Sequence, residues 1–157
     1  MAFSVTRFHD ISTAHRVVGH EGKCRFLHGH NYRVHFCCES VQLDGVGRVV
    51  DFGVIKEKLC MWLESHWDHK FLAWVDDPLL QHFVEYAEDG ALNDGLDEES
   101  INCFVQSVVW VPFNPTAENM ARYLVEVIAP VLLSGTGSRL VSVTIEETAK
   151  CSASYFI

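Results

Sequence analysis

The stretch "CRFLHGHNYRVHF", residues 24–36, sets one cysteine and three histidines within thirteen positions. Imidazole nitrogens and thiolates ligate borderline metals such as zinc, and the same groups carry protons. Side chains alternate along a strand, so His28 and His30 share one face with Tyr32, Val34, Phe36 and Cys38, while His35 points the other way. Catalytic zinc takes three protein ligands and keeps a position open. His15, in "STAH", is the leading third ligand, ahead of His9, His20 and His35. Ordinary surface or core histidines are the alternative that spacing leaves open.

Cys24 precedes His28 by four residues. A nearby cation favours the thiolate, the form that acts as base or nucleophile. A fourth ligand closing a structural site, or an inert buried thiol, fits the spacing equally well. His69 follows Asp68 in "WDHKF". The pair could relay protons, although a histidine at a helix C-terminus is also simply favourable against the dipole. In "RLVSVTIEET", Val141, Val143, Ile145 and Glu147 share one face, so Glu147 extends an apolar stripe. A carboxylate there needs partners. Bidentate hydrogen bonding to an amidine-like edge of a ligand would serve, as would an arginine or solvent at the strand end.

These groups need elements to hold them. "FSVTRF" and "HGHNYRVHFCCES" alternate as strands, and "LDGVG" followed by "RVVDF" suggests a hairpin. Ile55, Leu59, Trp62 and Leu63 recur at helical spacing behind Asp51, a capping residue. A second helix is expected from "NPTAEN", with Asn114 as cap and Pro115 in the first turn, ending near Pro130. Capping and the helix dipole explain Thr116 and Glu118 as readily as substrate binding does. "VQSVVWV" and "RLVSVTIEET" read as further strands. The pattern predicts an α+β domain spanning 1–157, an antiparallel sheet covered on one face, with open edges that favour oligomerisation.

The length of 157 residues and 48% apolar content suit one core. The six cysteines form no CxxC pair, and no apolar run approaches the roughly 20 residues of a membrane span, so a soluble cytoplasmic protein is expected. The net charge of -9 argues against nucleic-acid binding. It is concentrated in residues 76–100, which hold Asp76, Asp77, Glu85, Glu88, Asp89, Asp94, Asp97, Glu98 and Glu99 without Lys or Arg. Residues 1–35 carry Arg7, Arg16, Lys23, Arg25 and Arg33 against Asp10 and Glu21. That local surplus would attract an anionic small molecule.

Taken together, "STAH", "CRFLHGHNY", "VVDF", "WDHKFL", "FNPTAEN" and "TIEET" resemble the 6-pyruvoyl-tetrahydropterin synthase family, most of all its bacterial 6-carboxytetrahydropterin synthase branch. The resemblance runs from His15 to Thr148, and the CxxxHGH spacing is the part most like the carboxy branch. It implies a tunnelling fold: a four-stranded antiparallel sheet with two helices on one face, assembled into a homo-oligomeric barrel, a hexamer, with sites at subunit interfaces. It implies Zn2+ held by His15, His28 and His30, Cys24 as proton acceptor, Asp68 and His69 as relay, and Glu147 as pterin anchor and relay member. Thr116 and Glu118 would contact the substrate. The implied reaction is that of a carbon–carbon lyase of queuosine and 7-deazaguanine biosynthesis. It converts 7,8-dihydroneopterin triphosphate into 6-carboxy-5,6,7,8-tetrahydropterin, acetaldehyde and triphosphate. Three rival readings are the pyruvoyl activity, a non-catalytic pterin-binding or zinc-stabilised assembly protein, and a generic zinc hydrolase, the last weakened by the absence of HExxH. The acidic "AWVDDPLL" continuation after "DHKFL" departs from many relatives and bears on substrate entry.

Overall fold

Among the described residues, six strands pair into one sheet in the order β4-β3-β1-β2-β5-β6. The computed structural model describes residues 2–88 and 97–157. β1 (Phe3–His15) and β2 (His28–Ser40) run antiparallel along their whole length, Phe3 opposite Ser40 and His15 opposite His28. β5 (Arg139–Thr148) continues antiparallel from β2, and β6 (Cys151–Phe156) from β5. The expectation of a four-stranded antiparallel sheet is corrected by two additional strands, which make the sheet mixed. β3 (Phe71–Trp74) runs parallel to β1, and β4 (Val108–Val111) parallel to β3.

Two other expectations give way to local chemistry. "RVVDF" is not a strand, because Asp44 accepts the N–H groups of Val46 and Arg48 and pairs with the Arg48 guanidinium, closing a turn. Asp51 then accepts the Gly53 N–H and starts helix α1 (residues 52–66). "VQSVVWV" is a strand only from Val108, since its first three residues finish a helix. That helix, α3 (Glu98–Ser107), follows α2 (Pro78–Glu88). Of the acidic run, Asp89 and Asp94 lie outside the described residues.

Helix α4 (residues 117–132) is capped by Thr116, whose hydroxyl accepts the Asn119 N–H, and not by Asn114. Asn114 spends its carboxamide elsewhere. The helix also runs past Pro130, immediately after a π turn in which the Ala129 N–H reaches back to the Leu124 carbonyl. The wider turn meets a proline that cannot donate to its own preceding turn.

α1 and α4 cover one sheet face. Ile55, Leu59, Leu63, Met120 and Leu124 pack with Tyr32, Val34, Phe36, Val143 and Ile145 in one buried core. The alternate side chains Thr6, Asp10, Ser12, Asn31, Arg33, Thr144 and Glu146 form the opposite, polar face. β3 pairs with β1 only at Ala14 and His15, leaving the earlier residues of β1 unpaired on that side, while β4 and β6 are the terminal strands. No helix among the described residues is long and apolar enough to cross a membrane.

Candidate metal centre

The β1–β2 register sets His15 directly opposite His28, and the alternation of β2 adds His30 on the same face. One nitrogen from each of the three rings lies within 4.8 Å of the others. His15 is buried, and His28 and His30 are half-buried. Gly29 serves the strand pair, because a Cβ there would stand 3.0 Å from the Thr13 carbonyl oxygen. A side chain at this position would require the Thr13 backbone, two residues before His15, to shift by a few tenths of an ångström.

Neighbouring carbonyls orient two of the rings. His15 Nδ1 donates to the Pro115 carbonyl at 2.6 Å, and His28 Nδ1 donates to that of Phe26 at 2.7 Å. Each bond leaves Nε2 unprotonated, the tautomer a metal requires. Burial pushes His15 below its ordinary pKa, against a smaller upward pull from the Pro115 carbonyl, and so favours the neutral ring. The donor set and its supporting shell fit a divalent metal with a place left for a fourth ligand.

Tyr32, next along the same face, was not singled out by the sequence, although the HxHxY alternation carries the signal. Its hydroxyl lies 3.0 Å from His15 Nε2 and 3.4 Å from Glu147 Oε1. Burial, followed by the Glu147 charge, pushes this phenol far up, so it remains a donor. Glu147 Oε1 is 3.7 Å from His15 Nε2 and 4.0 Å from His30 Nε2, with the carboxylate half-buried. The β5 stripe therefore ends at the histidines, aided by an irregularity between Glu146 and Thr148 where β6 turns back.

Cys24 sits half-buried in a short 3-10 turn, Lys23–Arg25. With Glu147, Thr116, Glu118, His20 and Cys151 it lines a cavity of about 330 Å³. Of the five N-terminal cations, Arg33 pairs with Asp10 and Arg16 with buried Asp77, whereas Lys23 and Arg25 stay exposed beside Cys24.

Asp68 and His69 stand apart from this group. Asp68 Oδ1 accepts the Ser12 N–H at 2.8 Å, and Oδ2 meets His69 Nδ1 at 2.6 Å. Burial opposes ionisation of Asp68, but these two bonds outweigh it and hold the carboxyl below the usual range. The pair opens on a cavity of about 550 Å³ with Asp10, Asn31, Arg33 and Glu146, on the polar face of the sheet. His69 adopts φ 55°, rare for a side chain other than glycine, and its ring is 82% exposed. Within one chain, then, the sheet separates the Asp68–His69 pair from Cys24.

A curled mixed sheet backed by helices, with three histidines that could hold a metal converging beside a carboxylate on its helix-covered face, defines an α+β protein with a candidate metal centre. The chain belongs to the 6-pyruvoyl tetrahydropterin synthase family, whose sequence profile matches residues 4–156. A 6-carboxy-5,6,7,8-tetrahydropterin synthase of Rickettsia felis is 32% identical over 146 residues, covering 93% of this chain and 94% of that protein. A probable enzyme of the same name from Halobacterium salinarum is 35% identical over 147 residues, covering 91% and 79%. Among solved structures, an uncharacterized protein of Wolinella succinogenes superposes with a TM-score of 0.83 at 25% identity over 99% of this chain and 98% of that one. The Caenorhabditis elegans 6-pyruvoyl tetrahydropterin synthase gives 0.63 at 22% over 100% and 96%, a likeness of fold.

Proposed function

We propose that this protein is a zinc-dependent 6-carboxy-5,6,7,8-tetrahydropterin synthase acting in queuosine and 7-deazaguanine biosynthesis. The observation that carries the proposal is the convergence of His15, His28 and His30 beside Glu147, which lines a cavity together with Cys24. Relatives of that name matching over nearly the whole chain support the choice of reaction. In it, 7,8-dihydroneopterin triphosphate and water give 6-carboxytetrahydropterin, acetaldehyde and triphosphate.

His15, His28 and His30 would hold the zinc, which when bound supplies Lewis acidity toward the substrate's side-chain oxygens. Cys24, as thiolate, takes a proton from the side-chain carbon. Glu147 accepts the 2-amino and ring N–H donors of the pterin, with Tyr32 holding its carboxylate in place. Thr116 and Glu118 complete the cavity wall around the ring, and Lys23 and Arg25 face the triphosphate. The proton relay of Asp68 and His69 comes from a neighbouring chain: the ring of His69 projects from its own sheet, and the open edges of β1 and β6 suit closure of a barrel between copies.

Separating the metal from the base tests this assignment. Cys24→Ala is expected to bind zinc like the parent and lose at least about 100-fold in kcat, whereas His28→Ala loses the zinc itself. Metal analysis beside turnover reads both. A Cys24→Ala protein that lost its zinc would make the thiol a ligand and the site structural.

A further inference from the structure

The β1–β2 loop, which carries Cys24, is tied to the start of α4 by one side chain. Asn114 Oδ1 accepts the Val18 N–H at 3.0 Å, and Asn114 Nδ2 donates to the Val18 carbonyl at 2.8 Å. The carboxamide thus pairs with the loop as a neighbouring strand would. Only this orientation of the amide satisfies both bonds, since the reverse would set donor against donor. Asn119 Nδ2 donates to the Asn114 carbonyl at 3.0 Å, fixing residue 114 to α4. Inside the loop, the Val17 N–H donates to the Cys24 carbonyl at 2.8 Å. A continuous hydrogen-bonded path therefore runs from α4 through Asn114 and Val17–Val18 to the backbone of the thiol.

The path has a geometric consequence. The cavity is lined from the β1–β2 loop by Val17, His20 and Cys24 and from the start of α4 by Thr116, Ala117 and Glu118. Asn114 joins the two. We propose that Asn114 is a positioning residue, which fixes Cys24 relative to the α4 wall of the cavity through its paired hydrogen bonds with Val18. The proposal rests on the reading of Cys24 as the proton acceptor. His15 is held by the Pro115 carbonyl and not by the Asn114 side chain, so the proposal expects zinc to be retained when the carboxamide is lost.

Two substitutions separate position from bulk. Asn114→Leu keeps the volume and loses both bonds. Asn114→Asp keeps the acceptor for the Val18 N–H but turns a second oxygen on the Val18 carbonyl. Leu133→Ala, a buried truncation at the far end of α4, controls for lost stability. In zinc-loaded protein, both Asn114 variants are expected to lower kcat by about tenfold or more with KM within about threefold, because small misplacements of a reacting group are costly. The rate at which iodoacetamide labels Cys24, read by peptide mass spectrometry, should shift at least about fivefold. Zinc content should match the parent, and Leu133→Ala should leave the labelling rate unchanged. Parent-like labelling and kcat in Asn114→Leu, an equal shift in Leu133→Ala, or loss of zinc along with reactivity would each overturn the proposal. Should the parent form no pterin product, the functional reading fails, while the labelling comparison still decides the role of Asn114.

Discussion

Each candidate ligand histidine is useful only in one tautomer. The Pro115 and Phe26 carbonyls impose it on His15 and His28, so Nε2 of each is unprotonated before any metal arrives. The residue types at this site were legible because a strand's alternation is strict: HxH gives two side chains on one face, and Glu147 inherits the face of Val143 and Ile145. Tyr32 falls on the same stripe without an assigned role, since an apolar ring with one hydroxyl reads as core until its neighbours are known. The neutrality of His15 has a measurable cost. With its folded pKa depressed, the unfolded chain takes up the proton first, so its contribution to stability is present above about pH 6.5 and is lost as pH falls from there through the folded value. Metal-stripped protein should therefore melt progressively lower from about pH 7.5 to about pH 5.5, and less steeply in His15→Gln. Identical slopes would place the titration elsewhere.

The elements divide by whether local or distant forces define them. β5 was readable to the residue because its apolar stripe has a strict period, and α1 because apolar positions recur behind a capping aspartate. β3 was not, since four mostly buried residues without alternation look like any apolar run. "RVVDF" failed the opposite way, as the Asp44–Arg48 turn claimed residues that looked like strand. Asn114 carries a strong capping signal, but a tertiary pairing with Val18 took the side chain and left the cap to Thr116. The acidic run holds another such case. Asp77, fully buried, touches Arg16 Nε at 2.7 Å, off the line of a hydrogen bond, and also accepts the Leu79 N–H at the start of α2. This carboxylate ties α2 to the residue after His15, so part of the acidic segment is a buttress. Asp77→Ala should cost about 3 kcal/mol in urea unfolding of the metal-loaded protein, because it strands a largely buried guanidinium. Asp77→Asn should cost less, since it preserves the cap. Equal losses would assign the whole effect to the pairing with Arg16 and none to the cap of α2.

At the scale of the molecule, the sheet has one covered face, one polar face and two open edges. The thiol lies with the covered face and the Asp68–His69 pair with the other, an arrangement that makes sense when several copies build one site. Mixing tests it: Cys24→Ala and His69→Ala chains, each inactive alone, should on co-refolding recover roughly a quarter of parental activity, the share of sites that draw both intact groups from different chains. No recovery would confine each site to one chain. The central claim concerns the product, and acetaldehyde measures it directly. Zinc-loaded protein given 7,8-dihydroneopterin triphosphate should release one acetaldehyde for each triphosphate while 6-carboxytetrahydropterin accumulates. Triphosphate release with 6-pyruvoyltetrahydropterin and no acetaldehyde would contradict the account.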